Sequence, residues 1–184
     1  KKWTKESILE LYEQPFLSLV HQAQSIHRDF FPKNEIQLST LLSIKTGACP
    51  EDCAYCPQSG LHNATLAKEK LFDVDKVIAG AVEAKANGAT RFCMGGAWRS
   101  PPKKAIPALM AMIQQVKSMG LETCMTLGML DQDDANALKE AGLDYYNHNI
   151  DTSPEYYDKI IKSRCFDDRI KTLDKVRQAG INVC

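Results

Sequence analysis

The chain has 184 residues, 44% of them hydrophobic, which is enough for one domain with a buried core. Lys and Arg together number 23, as do Asp and Glu, and the net charge of zero gives no electrostatic reason to expect binding to nucleic acid or to an anionic membrane. No apolar run approaches the length of a membrane span, and the first residues lack the apolar stretch of a secretory signal, so we expect a cytoplasmic protein.

Two elements are predicted before the first cysteine. Residues 8–31 predict a helical segment that is broken near Pro15, because proline cannot continue a helix. Residues 37–44 predict the first strand. The chain is therefore expected to begin with helices and to enter a sheet near residue 37.

Three cysteines follow on a short loop, at Cys49, Cys53 and Cys56. A cubane iron–sulfur cluster normally takes four thiolates, so three would leave one iron open to a small molecule. The chain has seven cysteines in total. An odd number argues against a closed disulfide framework and favours thiols that ligate a metal or react. Tyr55, inside the loop, could pack on a planar ring or simply cover a cluster. The loop therefore predicts a reactive metal cluster.

Other interpretations of this loop remain open from the residues alone. It could form a structural zinc site with a cysteine from elsewhere as the fourth ligand, in which case the protein would be a binding module. It could also belong to a plain electron-transfer protein. A brown, oxygen-labile preparation would exclude zinc, and a spectral response to an added small molecule would exclude an electron carrier, whose irons are already saturated.

One pattern recurs along the rest of the chain: a helix end, a glycine and a short strand. A basic residue suits the negative end of a helix, and glycine can adopt the left-handed conformation that caps it. Apolar residues recur at helical spacing before these glycines, and Asp73 and Asp131 are expected N-caps. Alternating helices and strands of this size predict parallel β–α–β units. The glycines are Gly88, Gly120, Gly142 and Gly180.

The repeated unit predicts the fold class, which is α/β. Five parallel strands with helices fit the N-terminal part of a (β/α)8 TIM-type barrel, preceded by a helical segment. A barrel of this type needs eight units, and a half barrel has bare parallel edges. We therefore expect residues 1–184 to be one partial barrel domain whose C-terminal half is absent.

Three further cysteines, Cys93, Cys124 and Cys184, lie four or five residues after a unit glycine, each on a different predicted strand. A single free cysteine in a barrel is most often a small buried hydrophobe. Three at matching depth favour a second metal or cluster site, whose fourth ligand would come from outside this chain. Cys165 lies off the strands without a partner and is expected to have no role.

Polar residues follow the fourth predicted strand. With a period of two, Asn147, Asn149 and Asp151 share one face, and we favour a ligand site there over a capping cluster before a turn. The same period points His148 toward the helices, as a core histidine.

Two further features belong to the second predicted strand. The pair Gly95 and Gly96 after it allows the backbone to approach a ligand closely. Arg91 shares the face of Cys93, and an arginine inside a barrel should be paired or functional.

At these residues the sequence resembles the biotin synthase family, within the radical S-adenosylmethionine (radical SAM) superfamily. The resemblance extends from about Trp3 to Cys184. The cysteine loop by itself indicates the superfamily, whereas the strand cysteines and the Tyr-Asn-His-Asn segment indicate the family. The matching segments are STLLSIKTGACPEDCAYCPQ, TRFCMG, CMTLG and YYNHNIDTSPE.

The resemblance implies two clusters. Cys49, Cys53 and Cys56 would hold a [4Fe–4S] cluster whose open iron chelates S-adenosylmethionine. A [2Fe–2S] cluster would be held by the three strand cysteines and by an arginine that lies outside this chain. Around that arginine the resemblance places Arg91 and Ser39.

The resemblance also implies which residues bind the nucleoside. Asn149 and Asp151 would contact its ribose, with Asn149 also near dethiobiotin. The pair Gly95 and Gly96 would hold the methionyl part, and Tyr55 would lie by the adenine.

The activity implied is that of a sulfurtransferase that converts dethiobiotin to biotin. A 5′-deoxyadenosyl radical would remove hydrogen from the substrate, and the second cluster would donate the sulfur. The implied partners are dethiobiotin, an electron donor such as flavodoxin and a second copy of the chain in a homodimer, with no nucleic acid and no membrane. The alternatives are another radical SAM enzyme, such as a mutase or cluster maturase, and a structural zinc-binding module.

Overall fold

A computed structural model describes residues 2–184 of the chain. They divide into a first unit that ends at Ile36 and a second unit, Gln37–Cys184. None of the helices within residues 2–184 is long and apolar enough to cross a membrane. The residues that carry the expected chemistry all belong to the second unit.

The first unit consists of helices α1 (Lys5–Tyr12) and α2 (Phe16–Phe30). Thr4 caps α1, because its Oγ1 atom accepts the Ser7 N–H at 3.2 Å while Ser7 Oγ accepts the Thr4 N–H at 3.0 Å. Pro15 stands at the N-cap of α2. The predicted helical segment and its break at the proline are confirmed.

The second unit alternates strands and helices around one parallel sheet. Neighbouring strands follow the order of the chain, β1-β2-β3-β4-β5, and every pair is parallel. Its elements are β1 (Ser39–Lys45), α3 (Val74–Ala86), β2 (Arg91–Gly96), α4 (Ile106–Ser118), β3 (Glu122–Thr126), α5 (Gln132–Glu140), β4 (Tyr145–Tyr146), α6 (Tyr157–Ile160), α7 (Phe166–Gln178) and β5 (Asn182–Val183), with 3₁₀ turns at Lys103–Ala105 and Pro154–Tyr156.

This strand order confirms the predicted fold class. An open doubly wound sheet reverses its strand order, whereas a barrel adds each strand beside the previous one. The five strands are thus the arc of a (β/α) barrel. The first strand begins two residues later than predicted, at Ser39, and the fourth is only two residues long.

The core lies between the sheet and the helices. Phe92 and Met94 on β2 are buried in one hydrophobic cluster with Leu109 and Ile113 of α4, while Cys93, between them, points to the opposite face and is half-buried. Full burial of a side chain of this size contributes roughly 1.5–3 kcal/mol. Packing on the helix face therefore leaves the other face of β2 free to carry chemistry.

The capping predictions are confirmed in part. The glycines after α3, α4, α5 and α7 all have positive φ, between 73° and 101°. Asp131 caps α5, since its Oδ1 atom accepts the Asp134 N–H at 2.8 Å. Asp73 stands at the N-cap of α3, but its side chain makes no capping hydrogen bond.

Gly128 joins the loop after β3 to the loop after β2. Its φ is 87°, and a Cβ atom there would lie 2.4 Å from the Arg99 carbonyl oxygen and 2.5 Å from that of Trp98. We expect Gly128→Ala to destabilise the full-length protein by about 3 kcal/mol or more, because left-handed strain adds to a clash with rigid backbone. Urea unfolding measures the loss.

Gly120→Ala is the matched control. Its φ is also positive, 81°, but a Cβ atom there would meet nothing within 4 Å. Only conformational strain remains, so a loss of about 1 kcal/mol is expected. Equal losses for the two variants would contradict the steric argument.

Candidate functional site

A cavity of about 290 Å³ opens at the carboxyl ends of the strands. This is the end of a parallel barrel where ligands bind. Its lining includes the three loop thiols, the glycine pair of β2, the polar segment after β4 and two arginines from the region of α7: Cys49, Cys53, Cys56, Gly95, Gly96, Asn147, His148, Asn149, Asp151, Arg164 and Arg169.

The cysteine loop folds back on the residues that follow it. The Cys49 N–H donates to the Gln58 carbonyl at 2.9 Å, and the Gly60 N–H donates to the Cys49 carbonyl at 2.7 Å. A turn joins the Cys56 N–H to the Cys53 carbonyl at 2.9 Å. Cys49 and Cys53 are buried and Cys56 is half-buried. The loop thus brings three thiols to one cavity.

A segment 111 residues further along the chain holds this loop in place. The Asp52 carboxylate accepts the Lys162 N–H at 3.0 Å and the Ser163 N–H at 2.9 Å, and Ser163 Oγ donates to Glu51. The Ala54 N–H donates to the Ile160 carbonyl at 2.9 Å. Residues 160–164, called here the docking segment, therefore fix the position of the loop.

The donor set of the cavity fits an iron–sulfur cluster. Within residues 2–184, no group of three His, Cys, Asp or Glu side chains is arranged around a single metal ion. In a cluster, by contrast, each thiolate binds a different iron, so the sulfurs stand around a cavity instead of converging on one point. Burial raises the pKa of the Cys49 and Cys53 thiols, and a soft metal would bind them as thiolates.

The three strand cysteines form a second group, outside the cavity. Cys93 and Cys124 face each other in register on β2 and β3, and Cys124 interacts with both Cys93 and Cys184. The hydrogen bond with Cys124 lowers the pKa of Cys93 to about 7, although burial opposes it, and Arg91 adds to the lowering. The structure thus brings all three thiols together, with Cys184 exposed at the edge of the sheet.

Arg91 is paired, as the sequence predicts for an arginine on this face. Its Nε and Nη2 atoms lie 3.1 and 3.0 Å from Glu122 Oε2, and its guanidinium stacks 3.8 Å from the centroid of the Tyr145 ring. Ser39 pairs with Arg91 across β1 and β2. These residues lie at the amino ends of the strands, close to Cys93.

The segment after β4 is not a strand, so the prediction for His148 is wrong. β4 ends at Tyr146, and Asn147, His148 and Asn149 all line the cavity. His148 is 3% exposed, and among the described residues its Nε2 atom has no hydrogen-bond partner. Burial, together with Arg169 and Arg164, lowers the pKa of His148 to about 3, so its imidazole is neutral at pH 7.

Asp151 is held in a left-handed conformation, with a φ of 73°. Its Oδ1 atom accepts the Tyr55 hydroxyl at 2.5 Å, and Arg169 donates to its Oδ2 atom. Such a conformation costs on the order of 1–3 kcal/mol and is maintained by surrounding contacts. Burial and the bond to Asp151 raise the pKa of Tyr55, so its phenol remains a donor at pH 7.

The glycine pair forms the last two residues of β2, not a turn after it. A Cβ atom at Gly96 would lie 2.5 Å from the Trp98 ring, whereas at Gly95 the nearest atom, on Leu41, would be 3.7 Å away. Gly96 is therefore required by the packing of Trp98 over the strand.

Sequence reasoning missed four charged residues that line the cavity. They are Lys45, Glu51, Arg164 and Arg169. Lys45 Nζ donates to the Ala97 carbonyl at 2.8 Å, and the Nε atoms of both arginines lie 3.2 Å from the Tyr157 hydroxyl. No spacing signal marks the arginines, because only the fold brings them to the loop. Cys165, also in this region, is exposed at the N-cap of α7 and does not line the cavity.

The chain is similar in sequence to known proteins. The sequence matches the model of the Radical SAM superfamily over residues 43–184. It is 60% identical to a biotin synthase of Psychromonas ingrahamii, covering 100% of this chain and 52% of that protein. It is 61% identical to a biotin synthase of Legionella pneumophila, covering 100% of this chain and 58% of that protein. The chain spans about half the length of the curated relatives it matches.

Solved structures show the same fold at low sequence identity. HydG, a maturase of the [FeFe]-hydrogenase, superposes with a TM-score of 0.76 at 17% identity, over 100% of this chain and 43% of that one. Methylornithine synthase (PylB) gives 0.73 at 18% identity, over 100% of this chain and 55% of that one. These two likenesses concern the fold alone.

Proposed function

Because the chain belongs to the radical SAM superfamily, we propose that the full-length protein inserts sulfur into dethiobiotin to form biotin. The observation that carries this proposal is the presence of two separate thiol groups, one in the cavity and one on three neighbouring strands. The 60% identity to a biotin synthase supports it. A mutase or cluster maturase needs no sacrificial second cluster, which makes these radical enzymes the weaker alternative.

The cavity is proposed as the site of a [4Fe–4S] cluster and S-adenosylmethionine. Cys49, Cys53 and Cys56 would hold the cluster. When bound and reduced, the cluster would supply the electron for cleavage of S-adenosylmethionine, the source of the 5′-deoxyadenosyl radical that would remove hydrogen from dethiobiotin. Superfamily membership and the donor set of the loop support both cofactors.

The protein's own residues would bind and orient the nucleoside. Asn149 and Asp151 would accept hydrogen bonds from the ribose hydroxyls, with Asn149 also near dethiobiotin. Tyr55, bonded to Asp151, would lie by the adenine, and the Tyr55 and Arg169 contacts keep the Asp151 carboxylate oriented before any ligand arrives. The backbone of Gly95 and Gly96 would contact the methionyl part.

The strand thiols are proposed to hold a [2Fe–2S] cluster, the source of sulfur. Cys93, Cys124 and Cys184 would be three ligands, and an arginine from the rest of the protein the fourth. Arg91 and Ser39 would lie around that arginine. The lowered pKa of Cys93 and the contacts that join the three thiols support this assignment.

The proposed partners are those that the resemblance to the biotin synthase family implies. We propose dethiobiotin as substrate, a one-electron donor such as flavodoxin, a homodimer and a cytoplasmic location. The seven free cysteines, which need a reducing compartment, support the location.

Anaerobic reconstitution of the full-length protein tests the proposal. With S-adenosylmethionine, dethiobiotin and reductant, we expect biotin and 5′-deoxyadenosine, and both iron and sulfide in the purified protein. If protein with both clusters intact forms 5′-deoxyadenosine but no biotin, the protein is a radical SAM enzyme with another substrate and the proposed reaction is wrong. Zinc in place of iron would overturn the proposal as a whole.

A further inference from the structure

Arg164 is a buried cation beside one of the loop thiols. Its side chain is 4% exposed, and its Nη2 atom donates to Cys53 Sγ at 3.3 Å. Among the hydrogen bonds of residues 2–184 to the three loop sulfurs, this one alone comes from a charged donor, since Cys49 receives a neutral backbone N–H from Glu51. Lys45 also acts on Cys49, but through its charge without a hydrogen bond, so Cys53 is the loop thiol to which a buried cation donates directly.

The neighbourhood of Arg164 indicates that it does more than neutralise a carboxylate. Its Nη1 atom is 3.6 Å from Glu51 Oε1, beyond hydrogen-bond distance, and that buried oxygen has no hydrogen-bond partner among the described residues. The hydrogen bonds of the guanidinium go instead to the Tyr157 hydroxyl, at 3.2 Å, and to the Cys53 sulfur. A buried carboxylate oxygen without a hydrogen bond costs free energy. The position of the Arg164 guanidinium therefore favours its contact with the Cys53 sulfur over an ideal ion pair with Glu51.

The position of the guanidinium is fixed from both sides. Arg164 is the last residue of the docking segment, which the Asp52 carboxylate holds by two backbone N–H groups. On the other side, Tyr157 is 2% exposed and stacks edge-on against Phe166, with 5.8 Å between ring centroids. The charge is thus held against Cys53 without an entropic cost at the time of reaction.

We infer that Arg164 is a positioning residue that acts through Cys53 and raises the reduction potential of the cluster held by the loop. This rests on the proposed [4Fe–4S] site. Adding an electron increases the negative charge on the cluster and its thiolates, and a buried cation donating to a ligand sulfur stabilises that state. Glu51 and Asp151 lie 3.6 and 4.0 Å from the Arg164 guanidinium, but Arg99 and Arg169 also pair with these two carboxylates. Three arginines thus share two carboxylates, and one positive charge remains beside Cys53.

A redox titration of the full-length protein, without S-adenosylmethionine, tests this inference. In Arg164→Gln and Arg164→Met, the ratio of reduced to oxidised cluster at the wild-type midpoint should fall about tenfold, which for a one-electron couple is about 59 mV. In Arg164→Lys, which keeps the charge, this ratio should fall less. Arg177→Gln removes an arginine that is 63% exposed on α7 and should leave the midpoint unchanged.

The outcomes separate this inference from the proposed function. A wild-type protein without a [4Fe–4S] cluster overturns both. A wild-type protein that cleaves S-adenosylmethionine, together with neutral variants whose midpoint is unchanged or higher, overturns this inference alone. Iron and sulfide are measured in every variant, and if both neutral variants lose the cluster while Arg164→Lys retains it, the residue only maintains the loop and the inference is also wrong.

Discussion

Replacing Cys53 by alanine is expected to abolish cleavage of S-adenosylmethionine by the full-length protein. Cys53 is buried, lines the cavity, and its Sγ atom accepts a hydrogen bond from Arg164 Nη2 at 3.3 Å. No other thiol can therefore take its place unless the loop changes its conformation. With two thiolates left, the cluster would lose the ligand set on which its assembly depends. The measurement is 5′-deoxyadenosine formed per chain after anaerobic reconstitution, together with iron and sulfide content.

Cys165→Ala is the matched control for this experiment. It removes a thiol from the same region of the chain, but Cys165 is exposed and does not line the cavity. We expect wild-type iron content and wild-type cleavage. If Cys53→Ala retained cleavage, or if Cys165→Ala lost it, the assignment of the ligands would be wrong.

Replacing Cys124 by alanine is expected to stop biotin formation while sparing S-adenosylmethionine cleavage. Cys124 lies on β3, is 2% exposed and contacts both other strand thiols, but it is absent from the lining of the cavity. Because separate sites respond nearly independently to mutation, roughly half or more of the cleavage should remain. Biotin and 5′-deoxyadenosine are measured in the same reaction.

The cavity created by this substitution needs its own control. Cys124→Ser nearly conserves volume and has a hydroxyl in place of the thiol, so it should lose biotin formation as Cys124→Ala does. Met125→Leu alters the next, fully buried residue on β3 and should preserve both activities. Equal loss of cleavage and biotin formation in both Cys124 variants would contradict separate roles for the two thiol groups.

Much of the architecture was predictable because its signals are local. Helix periodicity, the capping glycines and the alternation of helices with strands depend on residues within one turn or one strand of each other. The three loop cysteines belong to this class, since their spacing is short and a turn and two backbone hydrogen bonds fold the loop locally. The proximity of Cys93 and Cys124 was also predictable, because they lie five and four residues after the glycines that cap the preceding helices.

The prediction for His148 failed for a physical reason. A period of two holds only while a strand is paired, and β4 pairs with β3 only through Tyr145 and Tyr146. Beyond them the chain leaves the sheet and turns, reaching a left-handed conformation at Asp151. Where a strand stops is decided by its neighbours, so the sequence of the segment did not reveal that His148 lines the cavity.

The sequence by itself determined the parallel α/β architecture and the three-thiol loop, because backbone preferences and hydrophobic spacing act over a few residues. Only the tertiary structure decided the electrostatics of the site. Arg164 and Cys53 are separated by 111 positions, and their contact depends on the docking segment packing on the loop. Charge–sulfur contacts of this kind depend on distance in space, which the barrel fold sets and which no local pattern encodes.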